Sequence, residues 1–165
     1  MSLSKAFIAE LKSETETTRK LLSRVPVDNL TWKPHEKSMT IERLAQHVAE
    51  LPKWITNTVT KPGLNFAEGW TPSPKFASAE ELVNHFDKNV VDAIAALETI
   101  SDEDLNQPWT LQNGEQIYFT MPKKVVIRTM ALNHFIHHRG QLSVYLRLLN
   151  IPIPGMYGPS ADDKM

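Results

Sequence analysis

Two histidines at helical spacing open this sequence to metal chemistry. His134 and His138 lie four residues apart. At about 100° of rotation per residue they stand about 40° apart on one helix face, one turn above the other. Two imidazoles so placed can hold one metal ion. Ala131, Phe135, Leu142, Tyr145 and Leu149 follow the same stripe, so the pair looks into a core. His137 falls about 80° from the centre of the stripe and reads as a flank residue. Gly140 gives up a side chain inside the helix, at about 1 kcal/mol relative to Ala. Close approach by a neighbouring helix or a ligand would account for it.

A further histidine sits on an apolar face elsewhere. His47 follows Leu44 by three residues and precedes Leu51 by four. A histidine in such a place is commonly a hydrogen-bonded core residue. It becomes a third ligand if its helix packs beside the one carrying His134 and His138. Glu50, three residues on, either borders the same site or is a solvated charge; the pattern leans to the surface. Three neutral imidazoles suit Zn, Ni, Cu or Fe ions. Such a set leaves a coordination position open, and an open metal acidifies bound water or takes a thiolate or carbonyl oxygen. The chain has no cysteine, so it has no thiolate metal site and no thiol nucleophile of its own.

Composition narrows the partners. The 165 residues fit one domain, 1–165, able to bury a proper core. Eighteen basic and 19 acidic residues leave a net charge of -1, which is no footprint for nucleic acid. Lys5 and Glu10 interrupt the apolar residues of the N-terminus, unlike a signal peptide. No run is apolar enough to span a bilayer. A cytoplasmic protein without membrane or nucleic-acid partners is expected.

The elements that must position the histidines follow from periodicity. Leu3, Phe7, Ile8, Leu11, Thr18, Leu21 and Leu22 recur at helical steps and predict a first helix over 3–24. A Pro-rich connection follows, in which Trp32 caps the end of a core and His35 is exposed. Thr40 caps a second helix running to about Val59, which Pro52 kinks or loosens. Residues 60–77 are irregular and too long for a helix hairpin. They suit a crossover that leaves the second and third helices parallel, pinned by Phe66, Trp70 and Phe76. Ser78 and Glu81 form a capping box for a third helix to about Ile100. His85 on this helix has no second histidine at helical spacing and receives no metal role. Asn113-Gly114 between Trp109-Thr110-Leu111-Gln112 and Glu115-Gln116-Ile117-Tyr118-Phe119 predicts a β-hairpin. The fourth helix starts near Thr120 and Pro122, runs to about Leu149 and carries the histidine pair. The tail beyond it docks on the bundle.

Three stretches together resemble a known family. His134-Phe135-Ile136-His137-His138-Arg139-Gly140-Gln141-Leu142, running into Tyr145-Leu146-Arg147, resembles the last-helix signature of the DinB family. Thr40-Ile41-Glu42-Arg43-Leu44-Ala45-Gln46-His47 is similar to its second-helix histidine motif. Tyr157-Gly158-Pro159-Ser160-Ala161-Asp162 is similar to the ending of one branch. The resemblance implies an all-α four-helix bundle with a crossover between helices 2 and 3, usually a homodimer. It implies a divalent ion, zinc or nickel, on His47, His134 and His138. It does not imply one reaction: similar proteins include thiol S-transferases using small thiols, an isomerase domain and members with no known activity. The expected function is transfer of a small thiol to an electrophile. A metal-dependent hydrolase and a non-catalytic sensor or interaction bundle are the alternatives. Glu50, Arg139, Tyr157 and Asp162 are the candidates for substrate contacts or for support behind the ligands.

Overall fold

The computed structural model describes residues 2–69 and 75–163. The chain is mostly helical, with a small three-stranded sheet. Helix α1 (Leu3–Leu22) buries Phe7, Leu11, Leu21 and Leu22 on one face. Thr15 and Thr18 share that face and donate to the carbonyls of Leu11 and Glu14, one turn back. That bond lets a hydroxyl sit in a core without an unmet partner. In the following loop Trp32 packs edge-on against Tyr145 at 5.5 Å between ring centres, capping the core as expected. His35 is exposed.

The expected second helix is two helices. In α2 (Ile41–Glu50), the Thr40 hydroxyl accepts from the Arg43 N–H at 3.2 Å. Helix α3 (Pro52–Thr60) begins at the proline itself. Pro52 loosens the helix as expected: it interrupts the hydrogen-bond ladder while Leu51 keeps helical angles, φ -59° and ψ -33°, because proline has no N–H for the ladder but suits a first helical position. Leu51, at the joint, is fully buried. Strand β1 (Gly63–Asn65) follows, a strand that periodicity did not reveal. It pairs in parallel with β2 (Pro108–Asn113), which pairs antiparallel with β3 (Gln116–Pro122). The hairpin around Asn113-Gly114 is therefore present, and it belongs to a larger sheet. Gly63 permits the close pairing, since a Cβ there would stand 2.5 Å from the Thr110 carbonyl oxygen. Trp109, Leu111 and Val126 form a small core under the sheet, with Trp54, Leu64, Phe66 and Phe119 against it.

Helix α4 (Ala79–Thr99) opens as predicted: the Ser78 hydroxyl accepts from Glu81 N–H at 3.1 Å. The Glu81 carboxylate reaches the Ala77 N–H instead of that of Ser78. Trp70 of the expected pinning residues lies outside the described residues; Phe76 is buried in the main core and Phe66 packs under the sheet. The last helical run is α5 (Lys123–Val126), a wider π-helical stretch over Ile127–Asn133, and α6 (His134–Leu148). Thr120 lies in β3, so Pro122 stands at the helix entrance without it. Asn150, at φ 56°, turns the chain out of α6 in the left-handed region that Asn tolerates after a helix. Helices α1, α2, α3, α4 and α6 share one core, in which Phe86 stacks on Phe135 at 5.8 Å. Full burial of each such ring contributes about 1.5–3 kcal/mol. Ile153 and Met156 of the tail pack on this core. Gly140 is exposed and a Cβ there would meet nothing. Among the described residues no neighbouring helix makes the expected close approach, and nothing in the structure explains that glycine. No helix among the described residues is long and apolar enough to cross a membrane.

Candidate metal centre

Helices α2 and α6 pack side by side, and this brings His47 to the histidine pair. The His47 and His134 Nε2 atoms lie 3.3 Å apart, and those of His134 and His138 lie 2.8 Å apart. One ligand atom from each of the three falls within 4.8 Å of the others. Tetrahedral zinc with Zn–N bonds of about 2.0–2.1 Å would set its nitrogens about 3.3–3.4 Å apart. His137 is exposed and stays outside the group.

Oxygen partners fix the ring tautomers. His138 Nδ1 lies 2.6 Å from Gln141 Oε1, and His134 Nδ1 lies 3.3 Å from the Met130 carbonyl. An oxygen acceptor at Nδ1 requires its proton there, which leaves the Nε2 lone pair free. Two Nε2 lone pairs then face each other at 2.8 Å. Such a pair repels unless a cation lies between its members, so these residues fit a metal ion. The π-helical stretch contributes to this arrangement. At its end the His134 N–H turns to Ala131 O, only three residues back, which leaves the Met130 carbonyl to the His134 ring. π-Helical stretches are frequent at functional sites.

Burial favours the neutral form of His134 and His138. His138 is 7% exposed. Burial pushes its imidazole down to about 4; the Gln141 hydrogen bond opposes that fall, and nearby His47 and His134 add to it. Burial first, then the His47 charge, also lowers His134. An unprotonated imidazole is the form that ligates.

A cleft of about 460 Å³ reaches the triad through His47, with Arg43, Glu50, Trp54 and Phe66 as its other walls. Glu50 departs from the surface reading: it is 7% exposed. Trp54, four residues on, stands beside it on the same side of the cleft. Its Oε2 stands 3.9 Å from His47 Nδ1 and 3.5 Å from Arg43 Nη1. Arg139, Tyr157 and Asp162 are gathered elsewhere. Arg139 is 2% exposed and turns toward α1, where its Nη2 meets Glu14 Oε2 at 2.6 Å and its Nη1 donates to Thr18 Oγ1. Tyr157 closes that network by accepting from Arg139 and donating to Glu14. Asp162 pairs with Arg147 at 2.5 Å and accepts from the Ile153 N–H. None of these three lines the cleft. His85 contacts Asn89, which donates to the Ala49 carbonyl.

Sequence reasoning missed Gln141 as a partner, although its position three residues after His138 was the signal. Arg43 and Trp54 were also missed, although their four-residue steps from His47 and Glu50 were a signal; Phe66 gave none, because its place follows from the pairing of β1.

Comparison with known proteins agrees with this architecture. The DinB family pattern matches residues 1–164. The uncharacterized protein YrdA of Bacillus subtilis strain 168 is 25% identical over 157 residues, 95% of this chain and 89% of its own length. YjoA of the same strain is 25% identical over 151 residues, 89% of this chain and 91% of its own length. The crystal structure of a DinB-like protein from Bacillus cereus ATCC 10987 superposes with a TM-score of 0.70 at 27% identity, covering 93% of this chain and 97% of that one. That of YjoA gives 0.69 at 19% identity, covering 97% and 99%, and speaks for the fold alone. With that pattern matched from the first residue to the penultimate one, the chain belongs to the DinB family.

Proposed function

We propose that this protein is a divalent-metal-dependent transferase that passes a small thiol to an electrophilic substrate. It is a single-domain helical bundle acting as a homodimer. His47, His134 and His138 hold the ion, zinc or nickel. The observation that carries the reading is the convergence of three imidazole Nε2 atoms beside a cleft. When bound, the ion supplies a Lewis acid that keeps a thiol as thiolate at neutral pH, where a free thiol of pKa about 8.5 is mostly protonated. Gln141 and the Met130 carbonyl orient two of the rings. Trp54 and Phe66 exclude water from the cleft and present apolar surface to the substrate. The thiol must be a cosubstrate, since the chain has no cysteine. Its sulfur lone pair forms the new carbon–sulfur bond, and the displaced group leaves with its own electron pair.

The test begins with metal content. Elemental analysis should find one divalent ion per chain, lost in His47→Ala, His134→Ala and His138→Ala and kept in His137→Ala. Purification should avoid nickel columns, because nickel outbinds several commoner ions at nitrogen sites. Thiols are then titrated into the cobalt-substituted protein, where thiolate ligation adds a near-ultraviolet charge-transfer band. If cysteine, glutathione and bacterial storage thiols leave the spectrum unchanged while cobalt stays bound, the transferase reading fails and hydrolysis moves ahead.

A further inference from the structure

The walls of the cleft select its occupant by charge. Arg43, His47, Glu50 and Trp54 stand at successive four-, three- and four-residue steps, so they line one side of the cleft from end to end. The two charged members differ in exposure. The Glu50 side chain is 8% exposed and that of Arg43 is 46%. Among the described residues the Arg43 guanidinium meets one carboxylate, at the long distance of 3.5 Å. A guanidinium carries five N–H donors in a planar fork, so donors are left for a second anion.

With a divalent ion on the imidazoles, two positive charges would be added beside the Arg43–Glu50 pair and two aromatic walls, and low-dielectric walls strengthen such a field. A ligand with one negative group at the triad and one at Arg43 suits it. Arg43 Nη1 stands 3.5 Å from Glu50 Oε2, which stands 3.9 Å from His47 Nδ1, so the guanidinium lies close to the triad. The two anionic groups therefore stand a few bonds apart. We propose that Arg43 is a carboxylate anchor, and that the ligand of the cleft is a small thiol bearing a carboxylate. The carboxylate takes the guanidinium fork in two parallel hydrogen bonds. The sulfur half of this assignment rests on the transferase reading; the anchor half does not.

Two probe pairs separate the halves. In the cobalt-substituted protein, 3-mercaptopropionate is compared with 2-mercaptoethanol through the charge-transfer band. The carboxylate thiol should bind at least tenfold more tightly. Arg43→Gln should bring the two within about threefold at unchanged cobalt content, and Arg43→Lys should restore part of the preference. If neither thiol produces a band, 3-phenylpropionate and 3-phenylpropanol decide the anchor by calorimetry. A tenfold preference for the acid that Arg43→Gln removes would then uphold the anchor while the transferase reading falls. Equal affinities within the deciding pair overturn the proposal, as does a preference that survives Arg43→Gln.

Discussion

Gln141→Leu isolates the support behind one ligand from the ligand itself. The substitution leaves all three imidazoles in place and removes the oxygen that stands 2.6 Å from His138 Nδ1. Without that acceptor the ring loses its fixed orientation, and the proton is free to move to Nε2, where it blocks ligation. Loss of such an outer partner costs about 10–100-fold in metal affinity, or about 1.4–2.7 kcal/mol. Gln141 is exposed, so the metal-free fold should change by no more than about 0.5 kcal/mol. Zinc affinity is measured by competition with a chromophoric chelator at pH 7.5, with urea unfolding of the metal-free protein as the control. Gln141→Glu supplies an acceptor with a negative charge and should bind zinc at least as tightly as the parent. A Leu variant within twofold of the parent refutes the reasoning. So does a Glu variant as weak as the Leu variant.

Other consequences of the structure are open to measurement. The metal-free protein should lose stability as the pH falls below 6.5, because the unfolded chain takes up a proton that native His138, at about 4, refuses. From pH 7.5 to pH 5 this amounts to about 2 kcal/mol, read as a falling urea midpoint; a flat or rising midpoint contradicts it. Arg139→Leu strips the Glu14 carboxylate of its buried partner and should destabilise the fold by about 3–5 kcal/mol. Tyr157→Phe, at the exposed end of that network, should cost less than half as much, and the ranking is checked by denaturant midpoints. Duplex and single-stranded DNA should show no salt-sensitive, sub-micromolar binding at physiological ionic strength, given the net charge of -1. Light scattering should report a mass of two chains, and a monomer at micromolar concentration removes the homodimer.

The histidine site was the most legible part of the sequence, because helical rotation converts spacing directly into a shared face. His134 and His138 needed only their own helix. His47 needed a second helix as neighbour, and its place on an apolar stripe announced one. The caps at Thr40 and Ser78 were equally local and equally visible. Features that depend on distant chain were not. Strand β1 has three residues, too few for any alternation to show, and exists because β2 offers it a ladder. Pro52 signalled a disturbance, but whether a proline bends a helix or starts a new one depends on packing around Leu51. Glu50 is buried as well, where spacing alone left it at the surface. The π-helical stretch had no signature either, since an apolar run reads alike at any helical width.

The joint at Leu51-Pro52 has a consequence for how such a protein can change over time. Arg43, His47 and Glu50 belong to α2, held against α6. Trp54 belongs to α3 and is tied through Trp109 to the sheet at 6.2 Å between ring centres. The imidazole end of the cleft and its apolar end are thus carried by different helices, with Phe66 on the sheet side as well. Substitutions in the sheet, or a lengthened connection after α3, can reshape the wall while the imidazoles keep their spacing. Such a joint lets the histidine cluster persist while the shape of the cleft beside it diversifies.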